Sequence, residues 1–272
     1  MRLVSIIMGI YNCAATLPEA LDSVLAQTFS DWELILCDDC STDTSLDIAQ
    51  AYAKQFPQKI KVIRNAENSK LAYTLNHCLR YATGEYIARM DGDDISLPQR
   101  LQKQVEFLDA NPDFAVVSTA MISFDENGDR GVRRKDEYPD KYSLAANPCF
   151  DHATIMMRKT VFEKLGGYTV SRRTERAQDY ELWFRFFAAG FKGYNMQEPL
   201  YKVRENTTTF SRRTLRSRLY IVQTMFIGYR LLHYPLKYYV YILKQIVTGL
   251  TPVFLLNFYR KHQDKKTLCM DL

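Results

Sequence analysis

An α/β fold is the class the sequence predicts: an open, mostly parallel sheet flanked by helices, continued by a C-terminal helical tail. Three observations predict it. Short apolar runs alternate with amphipathic stretches through the first half of the chain, the pattern of strands and helices that build a covered parallel sheet. Two acidic clusters, Asp38-Asp39 and Asp91 to Asp94, directly follow apolar runs. From Ser211 onward the composition turns basic and aromatic.

The elements follow in order. Leu3–Met8 reads as a buried strand. Thr16-x-x-Glu19 has the form of a capping box, and Leu17, Leu21, Val24 and Leu25 then line one face of a helix. Trp32–Cys37 is the next strand and Asp38–Thr44 its polar exit. A helix follows with Leu46, Ala49, Ala53 and Phe56 on one face, closed by Pro57. Ile60–Arg64 is a strand, and Leu71, Leu75, Cys78 and Leu79 mark a helix that Gly84 can end. Glu85–Met90 is a strand that delivers the chain into Asp91-Gly92-Asp93-Asp94. Pro98 opens a helix through Leu101, Val105 and Leu108, stopped by Asn111-Pro112. Ala115–Thr119 is strand-like, and Asn127-Gly128 suits a hairpin turn. Further on, Thr160–Leu165 is a short helix halted by Gly166-Gly167. Asp179–Ala189 is an aromatic-rich helix ended by Gly190, and Lys192–Met196 and Leu200–Arg204 are extended.

The chain of 272 residues suits one large α/β domain with appended elements, or two small domains. Its hydrophobic fraction of 47% and charged fraction of 25% are those of a soluble globular protein, and the net charge of +5 is mild. Leu3 to Met8 is too short for the apolar segment of a signal peptide, so the expectation is a chain that is not exported. Its thiols are then expected to be reduced, and the six cysteines show no disulfide rhythm. Cys37 and Cys40 form a C-x-x-C, but the intervening Asp38-Asp39 would raise a thiol pKa, and no second Cys or His pair completes a zinc site.

In open α/β sheets ligands bind beyond the carboxyl ends of the strands. Tyr11-Asn12, Asp38-Asp39 and Asp91 to Asp94 all fall there, so three loops converge on one rim and two of them are acidic. Two carboxylates one residue apart, Asp91 and Asp93, can bind a hard cation and leave positions open for phosphate oxygens. Gly92 would let the backbone fold so that both reach the same ion. An EF-hand is excluded, because Ile95 stands where a third oxygen ligand belongs and no Gly or Glu follows at the required spacing. Asp38-Asp39 can accept hydrogen bonds from a base N–H or a ribose hydroxyl. Neither G-x-G-x-x-G nor G-x-x-x-x-G-K-[ST] occurs, which removes most support for dinucleotide oxidoreductases and P-loop enzymes. Without a glycine cradle, a metal must hold the phosphate.

These residues form a recognisable set. Val4–Ser45, with its Ile10-Tyr11-Asn12, its Asp38-Asp39 and its Ser41-Thr42-Asp43, resembles the opening of family-2 glycosyltransferases of the GT-A fold. Glu85 to Asp94 resembles that family's strand into its D-x-D loop. His152-Ala153-Thr154 to Met157-Arg158, Gly166-Gly167-Tyr168 and Gln178-Asp179-Tyr180-Glu181-Leu182-Trp183 follow in the family's order. The resemblance covers residues 3–211, and the ordered set is more specific than any one motif.

The resemblance implies roles. Tyr11 and Asp38, with Asp39 beside it, would contact the nucleotide; Asp91 and Asp93 would hold the ribose and a Mn2+ or Mg2+ on the diphosphate. Asp179 matches the family's catalytic base. Two positions depart from the pattern. Gln178 replaces the acidic first member of the pair, which removes a like charge and would tend to lower the pKa of Asp179. Arg204 stands where many members have a His; it can neutralise diphosphate but cannot ligate a metal.

The implied reaction is an inverting transfer from a nucleotide-diphosphate sugar, with uridine the expected base, to a hydroxyl of a glycan or lipid-linked acceptor. One carboxylate suffices as general base, because the leaving diphosphate needs charge neutralisation rather than a proton. A glycoside hydrolase would need a second carboxyl. Asp179 could also N-cap its helix. Arg172, Arg173 and Arg176 lack apolar periodicity and read as a basic loop, solvated or closing over the diphosphate. His152 reads as a structural hydrogen-bonder, and His233 and His262 as surface residues.

The division expected is a transferase domain over 1–210 and a tail over 211–272. Arg212, Arg213, Arg216, Arg218 and Arg230 interleave with apolar side chains, and Tyr234–Tyr259 is apolar and aromatic with Lys237 and Lys244 inside it. A spanning helix needs ~20 apolar residues. Gln245–Phe258 is shorter and Pro252 interrupts it. Basic residues beside Tyr, Phe and Leu fit an interfacial helix on an anionic membrane, which would place the protein peripherally on the inner face of the plasma membrane. No nucleic-acid motif accompanies the basic tail. Two rivals remain on sequence alone: a sugar nucleotidylyltransferase, which would want a glycine-rich loop where Ile10-Tyr11-Asn12-Cys13 stands, and a catalytically silent membrane adaptor on the same fold.

Overall fold

The computed structural model describes residues 3–205 and 215–250. The boundary expected after residue 210 and the apolar run beyond Leu250 lie outside them, as do Cys269 and His262. Nine strands form one sheet among the described residues: β1 (Val4–Ile10), β2 (Trp32–Asp38), β3 (Ile60–Arg64), β4 (Tyr86–Asp91), β5 (Ile95–Ser96), β6 (Phe114–Asp125), β7 (Gly128–Arg133), β8 (Met156–Arg158) and β9 (Lys192–Arg204). They are ordered β3-β2-β1-β4-β8-β6-β9-β5, with β7 paired to β6. The first four strands are parallel, as right-handed strand–helix–strand crossovers require. β8 then runs antiparallel to both β4 and β6, and β9 returns parallel to β6. Asn127-Gly128 turns β6 into β7 as the sequence suggests, with Gly128 at φ 109°.

β1 is almost wholly apolar, with Ser5 its one polar side chain, because both its faces are covered. Ile6, Met8 and Ile10 point to one face, where Leu34 and Leu36 of β2 meet Leu17, Leu21 and Val24 of α1 (Leu17–Leu25) and Leu101, Val105 and Leu108 of α4 (Arg100–Ala110). That face also takes Ala49 of α2 (Ser45–Gln55). Ile7 points the other way, with Ile35 and Cys37, toward α3 (Lys70–Leu79), α5 (Lys159–Leu165) and α6 (Gln178–Ala188). α6 presents Trp183 and Phe186 to that core. α5 ends in two left-handed residues, Gly166 at φ 69° and Gly167 at φ 73°.

Two local expectations are corrected, and two are made more definite. Thr16 does not cap α1; its hydroxyl donates to the carbonyls of Cys13 (3.2 Å) and Gly92 (3.1 Å), because the loop after β4 brings a carbonyl within reach. Phe56 is exposed rather than part of the buried face of α2. The segments Lys192–Met196 and Leu200–Arg204 are one strand, β9, whose pairing shifts between Met196 and Tyr201 against Thr119 to Met121. Arg172–Thr174 is a 3-10 turn with a reciprocal Ser171–Thr174 cap, and Arg173 donates to the Thr224 hydroxyl at 3.5 Å.

Thr224 belongs to α7 (Leu215–Leu231), which is followed by a 3-10 turn over Leu236–Tyr239 and by α8 (Val240–Leu250). Met225, Tyr229, Leu232, Tyr234 and Ile242 lie in the same apolar cluster as Trp183 and Ile7. Gly228 is what lets α7 approach: a Cβ there would stand 2.3 Å from the Phe184 ring. Gly228→Ala is therefore expected to destabilise the protein by about 1–3 kcal/mol through overpacking, lowering Tm by roughly 2–10 °C. Thermal unfolding checks this, and an unchanged Tm would mean α7 does not rest on α6 as described.

Candidate active site

The site begins with strand register. Ile10 pairs with Asp38, Gly9 pairs with Cys37 on one side and Asp91 on the other, and Asp38 pairs with Arg64. The four parallel strands thus end at one level. The Asp39 N–H donates to the Ile10 carbonyl at 2.8 Å and continues the pairing into the loops.

Polar side chains then lace the first two loops together. The Asn12 N–H donates to Ser41 Oγ (3.1 Å), and the Thr42 N–H to Asn12 Oδ1 (2.8 Å). The N–H groups of Cys13 and Ala14 donate to Ser45 Oγ (2.8 Å) and Asp43 Oδ2 (3.1 Å). Tyr11 stands on this rigid loop with 49% of its surface exposed. Asp38 is fully buried; its carboxylate accepts from the Ser41 N–H at 3.2 Å and pairs with Arg64 Nε at 3.2 Å. The Asp39 carboxylate is spent internally: it accepts from Asn65 Nδ2 (2.8 Å) and from the N–H groups of Ser69 (2.8 Å) and Lys70 (2.9 Å). It fixes the 65–70 segment rather than facing outward with free oxygens.

Asp91, Asp93 and Asp94 bring carboxylate oxygens within 4.8 Å of one another. Their surroundings differ. Asp94 is buried and accepts from the Tyr201 hydroxyl (3.0 Å) and the Arg204 N–H (2.9 Å); burial, with Asp91 and Asp93 beside it, pushes its carboxyl up to about 8. Asp91 is ion-paired to Arg89. The Asp93 carboxylate accepts no hydrogen bond from another residue among those described, and burial together with Asp91 raises its carboxyl. A partly exposed carboxylate without a partner, beside a second one, is a donor set that fits a hard divalent cation. Gly92 is required for a reason other than the one its type suggests. A Cβ would lie 2.9 Å from Ile10 Cγ2 and 3.1 Å from Cys13 Sγ, so close approach to the first loop excludes a side chain. Arg204 closes over this loop: Nε donates to the Asp93 carbonyl at 3.0 Å, Nη2 pairs with Glu19, and the guanidinium lies 4.4 Å above the Phe124 ring.

Asp179 sits in the first turn of α6, whose N-cap is Ala177, so it does not cap the helix. Burial raises its carboxyl, against the lowering by the Tyr180 N–H and Arg89. The tendency expected from Gln178 is therefore overridden by desolvation. Beside it, His152 bonds the Tyr168 hydroxyl at 2.9 Å and packs edge-on to Trp183, in the structural role expected of it. Cys37 and Cys40 are unpaired thiols, and the Cys37 thiol contacts Asn65 Oδ1 at 3.5 Å.

Two residues of the site escaped sequence reasoning. Tyr201, buried on β9, accepts from the Asp91 N–H (3.2 Å) while donating to Asp94. Arg89, buried on β4, pairs with Asp91 and lies within electrostatic reach of Asp179. The available signal was a charged residue inside a strand otherwise apolar on both faces.

An open sheet whose parallel half ends in acidic loops and is joined through an antiparallel strand to the far half is the arrangement of GT-A glycosyltransferases. The chain belongs to glycosyl transferase family 2, whose sequence pattern it matches over residues 5–166. It is 48% identical over 258 residues to the putative glycosyltransferase EpsE of Bacillus subtilis (strain 168), covering 95% of this chain and 93% of that one. It is 28% identical over 271 residues to the amylovoran biosynthesis glycosyltransferase AmsE of Erwinia amylovora, covering 93% and 96%. Its fold is similar to that of S. aureus TarS solved with UDP-GlcNAc (TM-score 0.69, 19% identity, 92% of this chain and 72% of that one). It is likewise similar to the Pyrobaculum calidifontis mannosyltransferase PcManGT solved with GDP-Man and Mn2+ (TM-score 0.66, 21% identity, 91% and 73%).

Burial and Arg89 hold the His152 imidazole well below its usual range, so it is neutral in the folded protein. The unfolded chain takes up a proton below about 6.5 that the folded chain refuses, so this residue subtracts stability as pH falls through that value. His152→Gln is expected to lose that subtraction: its stability relative to wild type should improve between pH 7.5 and pH 5 in urea titrations. A difference that stays constant with pH would defeat the assignment.

Proposed function

We propose that the chain is an inverting glycosyltransferase of surface-polysaccharide synthesis that moves a sugar from a nucleoside-diphosphate donor to a hydroxyl of a glycan or lipid-linked acceptor. The observation that carries this reading is that Asp38 and Asp91 lie at paired strand ends, with Arg89 ion-paired to Asp91 and within electrostatic reach of Asp179. Uridine as the base is supported by the UDP-GlcNAc that TarS binds, and polysaccharide synthesis by the name of AmsE.

Each side chain has work that its setting suits. The exposed Tyr11 ring offers a stacking face for the base, and the buried Asp38 carboxylate an acceptor for base N–H or ribose hydroxyl. Asp39 acts through the 65–70 segment it holds. Asp91 orients the ribose side of the diphosphate. Mn2+ or Mg2+, held by Asp93 with Asp91, would neutralise the charge that develops on the departing diphosphate. Arg204 supplies a fixed positive charge on the same loop. In the transfer, the acceptor oxygen bonds to the anomeric carbon as the bond to the diphosphate oxygen breaks on the opposite face. Asp179 takes the hydroxyl proton, and its raised pKa makes it a stronger base than an ordinary carboxylate.

The nucleotidylyltransferase reading wants a glycine-rich phosphate loop after β1. That position is instead occupied by side chains laced to the second loop.

We also propose that the protein works at an anionic membrane surface through α7, α8 and the turn between them. Leu219, Phe226 and Leu231 on α7, Leu236 in the turn and Val240 and Leu243 on α8 are exposed, Leu236 to 84%. Residues 206–263 contain nine Lys and Arg and neither Asp nor Glu. No helix among the described residues is long and apolar enough to cross a membrane. Apolar side chains among basic ones suit an interfacial attachment, which would bring the site to a lipid-linked acceptor.

Thermal unfolding against UDP, GDP, dTDP and CDP, each with and without Mn2+, tests the donor reading. One nucleotide at 100 times its dissociation constant should add ~2.7 kcal/mol when metal is present. Asp93→Ala should lose that gain, whereas Asp179→Asn should keep it and lose transfer by about 10²–10⁴-fold. No stabilisation by any nucleotide would move the silent-adaptor reading to the front. For the membrane, wild type should sediment with phosphatidylglycerol vesicles and not with phosphatidylcholine ones, and Leu236→Glu with Val240→Glu should release it. Equal recovery with both lipids, or none with either, would refute the attachment.

A further inference from the structure

Arg89 has no settled task in the reading above. Its backbone is pinned on both sides: its N–H donates to the Ile155 carbonyl at 3.0 Å, and its carbonyl accepts from Arg100 Nη2 at 2.7 Å. The side chain is therefore committed to the site, and only 6% of the residue is exposed. Nη2 is ion-paired to Asp91 Oδ1, the one ion-pair partner of Arg89 among the described residues, and Nε is buried with no partner. The other cation on the loop, Arg204, is ion-paired to Glu19 and donates to the Asp93 carbonyl, and it makes no ion pair with Asp91, Asp93 or Asp94 among the described residues.

We infer that Arg89 is the internal counter-ion of the acidic loop, standing in for the divalent ion at Asp91 until the donor arrives, so that metal is taken up with the nucleoside diphosphate rather than alone. The inference rests on the metal–donor reading of Asp91 and Asp93. The physical reason is charge balance at short range. A guanidinium cannot be neutralised by losing its proton, and a buried one without a partner is costly. A free divalent ion at Asp91 would place like charges together and leave Arg89 uncompensated. A diphosphate carries more negative charge than one divalent ion neutralises. Arriving together, the pair gives both cations anionic partners, the unpartnered Nε of Arg89 included.

The test uses Mn2+ alone, then Mn2+ with UDP, reading free Mn2+ by electron paramagnetic resonance on the full-length protein. Wild type should hold Mn2+ weakly without UDP and much more tightly with it. Arg89→Met should bind Mn2+ alone at least about tenfold more tightly than wild type, since Asp91 and Asp93 then lack the charge of Arg89. Arg89→Lys, which keeps the charge, should behave as wild type. Unchanged or weaker binding by R89M overturns the inference, and so does a tenfold gain in R89K. If R89M folds only when Mn2+ is present during refolding, metal has replaced the guanidinium, which supports the inference; failure to fold with Mn2+ overturns it. If none of UDP, GDP, dTDP and CDP raises Mn2+ affinity in wild type, the donor reading falls and this inference with it. If a nucleotide does raise it but R89M shows no gain, the inference falls alone.

Discussion

The pairing of β1 with β2 on one side and β4 on the other is the constraint from which the rest follows. Because Gly9 faces both Cys37 and Asp91, and Ile10 faces Asp38, a slip of one residue in either pairing would turn the buried Asp38 or Arg89 to the opposite face. The register is held by burial on both sides, with even-numbered side chains of β1 packed on α1 and α4 and Ile7 packed toward α6. It is extended past the strand ends by the Asp39 N–H on the Ile10 carbonyl and by the Asn12, Ser41 and Ser45 contacts. Gly92 then fits against Ile10 and Cys13 with no room for a side chain. The loops are rigid because the sheet leaves them one arrangement.

Such a scaffold lets acids be held where they would otherwise repel. Three carboxylates within 4.8 Å are tolerated because each has a different answer to its charge. Asp94 has its carboxyl pushed up to about 8 by burial and by its acidic neighbours, and it accepts from the Tyr201 hydroxyl and the Arg204 N–H. Asp91 has Arg89. Asp93 is left with a partly exposed carboxylate that accepts no hydrogen bond from another of the described residues. Buried ion pairs contribute little net stability, so Arg89 and the raised carboxyl of Asp94 are better understood as conditions for assembling the site than as contributions to folding. The protein arranges two acids so that the third can remain available.

The sequence made the parallel half of the sheet legible because its signals are local. Apolar runs, amphipathic spacing, and the glycine stops at Gly166 and Gly190 each need only a few neighbouring residues. The acidic ends of β2 and β4 were legible for the same reason. What escaped depends on distant partners. Thr16 has the form of a cap, but its hydroxyl is taken by a carbonyl 76 positions on. Arg89 and Tyr201 look like ordinary members of strands until β9 is laid beside the loop after β4. The pKa of Asp179 could be guessed from its neighbour Gln178 only by ignoring burial, and burial decides its direction.

The composition change after Ser211 marks a change of surface more than an end of the core. Met225 and Tyr229 lie in one apolar cluster with Trp183, while Phe226 and Leu231 on the same helix are exposed. A helix apolar on both sides has little periodicity to read, since one side answers to the domain and the other to whatever covers it. The inner side touches the helix that carries Asp179 through Gly228 against Phe184, and the turn before that helix through Thr224 against the Arg173 carbonyl at 3.4 Å. A membrane bound on the outer side, as proposed, would thus bear on a helix packed against the one holding Asp179, the proposed base. That geometry suits the proposed delivery of the acceptor hydroxyl from a lipid surface, because the orientation of the protein on the surface and of Asp179 toward the hydroxyl would then be set by the same packed pair of helices.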